Sequence, residues 1–194
     1  MTVRAAASVL ASLAVGAVVS LPASAGSEAT QVVRPGVGIS KLRLGMTETQ
    51  VRRAMGRPTY VVRRRGAFGL QTVEFQYGLA EYTVRLRGRA GRLRAVRVGT
   101  TLVRERTPQG IGSGSLERTV LRTYRSARCQ PLRTVRSGSI TYVTTIQREC
   151  TLFAPSGRRT IFTTDVQERM FEVITPRMWA SRARVIEVSV ATPA

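Results

Sequence analysis

The chain has 194 residues, 43% of them hydrophobic and only 6% aromatic, which suits one domain or two small ones with a modest core. Lys and Arg number 31 against 11 Asp and Glu, a formal net charge of +20, and there is no histidine. The missing imidazole excludes nucleophilic catalysis of the Ser-His or Cys-His kind, and the charge points to acidic or polyanionic partners.

Residues 1–25 read as a signal peptide. Arg4 supplies a positive start, Ala5 to Leu21 is apolar, and Ala23-Ser24-Ala25 is a small-x-small cleavage site. No later stretch is apolar enough to stop transfer, so no transmembrane segment is expected in the mature chain. The expected location is secreted or extracytoplasmic, where nucleic acid is the least accessible polyanion. A polar leader (26–37) follows.

A first unit is expected over 38–106. Thr47 is placed as the N-cap of a short helix, with Gln50 completing a capping box and Met46 and Val51 at the staple positions. Gly56 and Pro58 end it. Strands follow. Thr59–Arg64 is rich in β-branched residues, and Val73, Phe75 and Tyr77 alternate with polar neighbours. Tyr82–Arg87 alternates again, and Arg92–Val98 returns after the turn Gly88-Arg89-Ala90-Gly91. The alternation slips between Ala95 and Val96, which signals a bulge.

A second unit is expected over 107–194. Ser115 is read as an N-cap ahead of the stripe Leu116, Val120, Tyr124. Shifting the first unit by about 70 residues carries Gly45 onto Gly114 and Val51 onto Val120, the mark of a tandem repeat. Val185–Val190 is the closing strand, and the segment before it, with Trp179, is read as a loop or short helix covering an edge. The expected fold class is therefore α+β: two tandem helix-plus-antiparallel-meander units, each with its helix on one face of a three- to four-stranded sheet.

Cys129 and Cys150 most simply form one disulfide in an exported protein. Reactive thiols would need an activating His, and two Cys without His do not complete a zinc site. Asp165, Glu168 and Glu172 cluster in sequence, but Arg158, Arg159 and Arg169 lie beside them, which reads as surface neutralisation. Gly110-Ile111-Gly112-Ser113-Gly114 lacks both the dinucleotide spacing and the Gly-Lys-Ser/Thr ending of a phosphate loop and reads as a structural turn. No catalytic, metal or cofactor residues are assigned.

The array Arg85, Arg87, Arg92 and Arg94 is the candidate surface for an anionic partner. Arg85 and Arg87 share a face opposite Val84 and Leu86, and Arg92 and Arg94 lie opposite Leu93 and Ala95. If the two strands pair, the four guanidiniums stand together away from the helix, and a carboxylate or phosphate would relieve their repulsion.

Leu44-Gly45-Met46-Thr47, Val51 and Gly56-Arg57-Pro58 resemble the signature of the SmpA/OmlA outer-membrane lipoproteins. The apparent duplication, with Gly-Ile-Gly-Ser-Gly-Ser opening the second copy, resembles the β-lactamase-inhibitor-protein superfamily. The resemblance implies helices on one face of an antiparallel sheet, an open face left for protein partners, and no catalysis. The lipid-attachment Cys of the first family is missing, and no inhibitor contact maps onto a residue here. The expected function is a secreted, non-catalytic module that binds a protein partner through open sheet faces. The alternative is a basic envelope protein held to anionic wall polymers or lipid head groups.

Overall fold

The computed structural model describes residues 33–137, 139–143, 147–166 and 174–193. The signal peptide, most of the leader, and Glu168, Arg169 and Glu172 lie outside the described residues. Val33 is fully buried, and its N–H donates to the Arg106 carbonyl at 3.1 Å.

Three two-residue strands, β1 (Val33–Arg34), β2 (Gly38–Ile39) and β3 (Leu42–Arg43), form a small sheet. Helix α1 (Glu48–Met55) follows with the expected capping box: Thr47 Oγ1 accepts from the Gln50 N–H, and Gln50 Oε1 accepts from the Thr47 N–H. Gly56, at φ +80°, ends it. Val51 is buried beneath the sheet, and Met46 and Met55 pack beside it. On the helix surface Glu48 pairs with Arg52 and reaches Arg63.

Four antiparallel strands come next: β4 (Tyr60–Arg65), β5 (Leu70–Tyr77), β6 (Tyr82–Arg89) and β7 (Arg94–Thr100). The β6–β7 register shifts where Arg85 faces Arg97 and Leu86 faces Ala95. Val96 is left over, the bulge that the slipped alternation predicts. At the turn, Gly88 sits at φ +155°, where a Cβ would come within 2.5 Å of the Arg92 carbonyl oxygen. Only glycine lets the chain cross itself there.

The second half holds helix α2 (Glu117–Thr123), strand β8 (Arg128–Cys129), a separate ribbon of β9 (Thr134–Ser137) and β10 (Ile140–Val143), and strands β11 (Arg148–Phe153) and β12 (Arg159–Asp165). Helix α3 (Pro176–Arg182) and strand β13 (Arg184–Ala191) complete it. Ser115 is not the N-cap of α2. Leu116 occupies that position without a side-chain cap, and the Glu117 N–H is instead satisfied by the Ala183 carbonyl at 2.9 Å. A main-chain acceptor at the end of α3 has replaced the local hydroxyl, and Ser115 Oγ accepts from the Gly112 N–H and Arg106.

The expectation of two helix-plus-meander units, each with its own sheet, is corrected by the pairing of β13 with β7 from Val188↔Thr100 to Ala191↔Arg97. That contact fuses both halves into one eight-stranded antiparallel sheet, ordered β4-β5-β6-β7-β13-β12-β11-β8. The fold is mostly sheet, with three short α-helices among the described residues. The physical reason is edge satisfaction: as outer strands of separate sheets, β7 and β13 would each leave a row of backbone groups unpaired. The core follows the sheet. One apolar cluster runs from Val51, Phe75 and Leu86 through Val98 and Val188 to Phe162 and Cys150, with Val120 of α2 in it. Neither helix has a private core, and the β9–β10 ribbon and α3 have no counterpart in the first half, so the tandem repeat is not carried forward.

A second, smaller cluster holds Val143, Val166, Ile174, Ala183 and the fully buried Trp179. Glu117 ties it to the sheet. Its Oε1 accepts from Arg148 Nη1 at 2.7 Å, and its Oε2 accepts from Thr164 Oγ1 at 2.7 Å and Trp179 Nε1 at 3.1 Å. One buried carboxylate thus joins α2, β11, β12 and α3.

Candidate functional site

The sheet's alternation decides which side chains stand on its uncovered face. On β5 and β6, Val73, Phe75, Val84 and Leu86 turn toward the core, so Thr72, Glu74, Arg85 and Arg87 turn the other way. The open face carries a trough of about 820 Å³. Its floor is β5–β7, one wall is the β4–β5 hairpin, and the other wall comes from β12 and the end of β13. Among the described residues it is lined by six arginines (Arg64, Arg65, Arg85, Arg87, Arg97 and Arg159) and one carboxylate, Glu74.

The charges are ordered in rows across the strands. One row is Val62, Glu74, Arg85 and Arg97. Both of its arginines are paired with carboxylates. Glu74 Oε2 accepts from Arg85 Nε at 3.2 Å and Nη2 at 3.0 Å. Arg97 donates to Ser189 Oγ at 3.0 Å and pairs with Glu187 at 3.5 Å and Glu149 at 3.8 Å. Burial raises the Glu187 carboxyl above the ordinary carboxylate range, against the pull of Arg97. Gly99 makes room for that carboxylate: a Cβ there would lie 2.6 Å from Glu187 Oε1.

The next row, two residues nearer the hairpin ends, is Arg64, Thr72, Arg87 and Arg94. It contains no acid. The side chains of Arg64 and Arg87 have no hydrogen bond or ion pair among the described residues, and Arg94 Nη1 reaches only the Leu93 carbonyl at 3.3 Å. Across the trough, Arg159 donates through Nη2 to the Thr192 carbonyl at 3.2 Å, while its buried Nε has no partner among the described residues. The trough therefore has an inner row of paired charges and an uncompensated basic outer row.

The rim carries an exposed aromatic. Phe68, in the β4–β5 connection, is 93% exposed and held at φ +57°. A phenylalanine in the left-handed region is costly by about 1–2 kcal/mol, and nothing in the core repays it.

Of the four arginines read from sequence, the structure puts Arg85 and Arg87 in the trough and Arg94 directly opposite Arg87. Arg92 is in the turn between β6 and β7, outside the ladder, and Leu93 beside it is buried. The four do not form one unpaired cluster, because Arg85 is engaged by Glu74. Sequence reasoning missed Arg64, Arg97 and Arg159, which reach the trough from β4, β7 and β12. The run Arg63-Arg64-Arg65 was a visible signal for the first; Arg159 had none, since it enters from the far half of the sheet.

Cys129 and Cys150 form a disulfide between cross-strand partners on β8 and β11. Their sulfurs and a Glu117 carboxylate oxygen lie within 4.8 Å of one another. This is not a metal centre as it stands: both sulfurs are bonded to each other, and the carboxylate already accepts from three donors. Glu105 is 3% exposed and accepts from the Tyr82 hydroxyl. Burial, helped by that carboxylate, pushes the Tyr82 phenol up to about 12, and burial also raises Glu105. This pair lies away from the trough.

No family model matches the chain, and no curated protein matches its sequence. Solved structures with a similar chain path include an extracellular protein containing an SCP domain from Bacillus anthracis str. Ames. It is 11% identical, with a TM-score of 0.41, covering 77% of this chain and 44% of that one. A cysteine-rich secretory protein from Staphylococcus aureus subsp. aureus Mu50 is 11% identical, with a TM-score of 0.44, covering 84% and 48%. The present chain thus spans less than half of either, and likeness at this level carries no functional argument. The resemblance to the SmpA/OmlA lipoproteins and the β-lactamase-inhibitor-protein superfamily is corrected: no family model supports it, and the structural neighbours named here are SCP-domain and cysteine-rich secretory proteins.

Proposed function

We propose that the chain is a non-catalytic binding module, working outside the cytoplasm, that holds an acidic segment of a protein partner in the trough. The observation that carries this reading is the row Arg64, Thr72, Arg87 and Arg94, which crosses four strands without a carboxylate. Adjacent like charges on a sheet are unfavourable unless something opposite in sign lies on them. Guanidiniums pair with carboxylates in a bidentate manner, and the exposed Phe68 at the rim adds apolar contact area. The disulfide and the apolar N-terminal segment support the location. Among the described residues, no helix is long and apolar enough to cross a membrane.

Fluorescence anisotropy with a labelled eight-residue peptide of alternating Glu and Thr, beside a Gln-Thr control, tests the reading. The Glu peptide binds more tightly, and its affinity falls steeply between 50 and 500 mM salt. The triple variant Arg64→Gln, Arg87→Gln, Arg159→Gln weakens it about tenfold, since partly exposed pairs contribute about 0.2–1 kcal/mol each. Equal binding of both peptides, or an unaffected triple variant, overturns the proposal. Tighter binding to anionic phosphatidylglycerol vesicles than to the peptide would favour a lipid-head-group role instead.

Phe68→Gly separates function from stability. Glycine relieves the left-handed strain but loosens the unfolded chain, so thermal stability stays level or rises by up to about 1 kcal/mol. Peptide binding falls severalfold if the ring is a contact. A fall in stability with unchanged binding would mean that the ring serves the fold alone.

A further inference from the structure

The eight-stranded sheet ends on unequal edges. At one end β8 is two residues long and is tied to its neighbour by the disulfide. At the other end β4 runs for six residues and, among the described residues, pairs with β5 alone. We infer that β4 is a docking edge, on which the acidic segment of the partner adds as a ninth strand. The inference rests on the trough reading for the sign of the partner's charge and goes beyond it in naming a backbone-paired mode of binding.

The register shows which groups are on offer. The Gly66 N–H donates to the Leu70 carbonyl at 2.8 Å, and the pairs Tyr60↔Gln76, Val62↔Glu74 and Arg64↔Thr72 keep the same spacing. These residues exchange their backbone bonds with β5. Val61, Arg63 and Arg65 therefore direct their N–H and C=O groups outward, away from the sheet. Tyr60 is 59% exposed and Val61 37% exposed, so the approach is open.

Charge selects the occupant. A row of arginines on an edge guards against pairing with a second copy of the same chain, whose Arg63-Arg64-Arg65 would meet its own kind. The same row attracts an extended segment carrying carboxylates. A strand added to β4 presents alternate side chains to the two faces. One set meets Arg64 and the basic row of the trough. The other set meets, past its bond to Glu48, Arg63. Backbone bonds then supply affinity and the arginines supply selection.

The test compares Val61→Pro with Val61→Ala, using the alternating Glu-Thr peptide. Proline at 61 removes one outward N–H and spares the bonds to β5. Peptide affinity drops about tenfold in Val61→Pro relative to Val61→Ala. Hydrogen exchange on the unmodified chain supplies a second readout that needs no variant: the amides of Val61, Arg63 and Arg65 gain protection when the peptide is added. Equal affinity of the two variants, or no gain at those three amides, overturns the docking edge while leaving the trough standing if the triple arginine variant still loses affinity. Failure of the unmodified chain to bind the peptide at all overturns both. A concentration-dependent dimer in sedimentation equilibrium that Val61→Pro abolishes would assign the edge to a second copy and overturn the acidic occupant.

Discussion

Glu117→Ala lowers the melting temperature by roughly 10 °C and shifts the emission of Trp179 to longer wavelength. The carboxylate is 4% exposed and accepts from Arg148, from Thr164 and from the indole N–H of Trp179. Truncating it takes that acceptor from a buried hydroxyl, a buried indole N–H and a half-buried guanidinium. Breaking a buried pair from one side costs about 3–5 kcal/mol, and each kcal/mol moves the transition by about 2–4 °C in a domain of this size. Trp179 is the chain's only tryptophan, so its emission reports this one locus. Glu117→Gln keeps acceptors for the indole and the hydroxyl and loses the ion pair, so it falls between the alanine variant and the parent. A drop of less than about 1 kcal/mol in the alanine variant would show that the surrounding donors find water or other partners, and that the four elements are held by packing alone.

Removing the disulfide, by reductant or by Cys129→Ser with Cys150→Ser, costs about 3 kcal/mol on loop-closure grounds, for a sequence separation of 21. The effect is local as well as entropic. β8 has two residues, and without the covalent tie its ladder to β11 is too short to persist. Thermal unfolding with and without reductant measures the loss, and exchange of the Gln130 amide, which donates to the Glu149 carbonyl at 2.9 Å, shows whether β8 leaves first. The sulfurs lie close to Glu117, so the two perturbations do not add: the reduced Glu117→Ala variant loses less than the sum of the separate effects. Simple additivity would mean that the disulfide and the carboxylate support different parts of the fold.

Both effects centre on a place that the chain's order conceals. Trp179 stood in a segment read as covering an edge, and Glu117 in the first turn of a helix gave no sign of burial. Their meeting depends on α3 docking beside α2, and a helical period does not record which helix will be its neighbour.

Local chemistry, by contrast, could be read directly. The capping box at Thr47 and Gln50 spans three residues and is closed by the helix itself. The bulge at Val96 shows as a slip in alternation, because the period of a strand is a property of adjacent residues. The outward placement of Arg85 and Arg87 follows from the same period. Ser115 marks where this logic stops: its hydroxyl lost the capping position to a carbonyl 68 residues away in the chain.

What the sequence determined by itself is the set of short-range decisions: where α1 starts and stops, which residues of β5 and β6 face inward, where β7 is bulged, and that the protein is basic. Only the tertiary structure decided that β7 and β13 join, that one core serves both halves, and that Arg64, Arg97 and Arg159 gather over a common trough. The reason is that backbone pairing is indifferent to side-chain identity. A strand's alternation tells which way its residues point, but any free edge satisfies another, so the choice of partner is made by the whole molecule closing its unpaired groups.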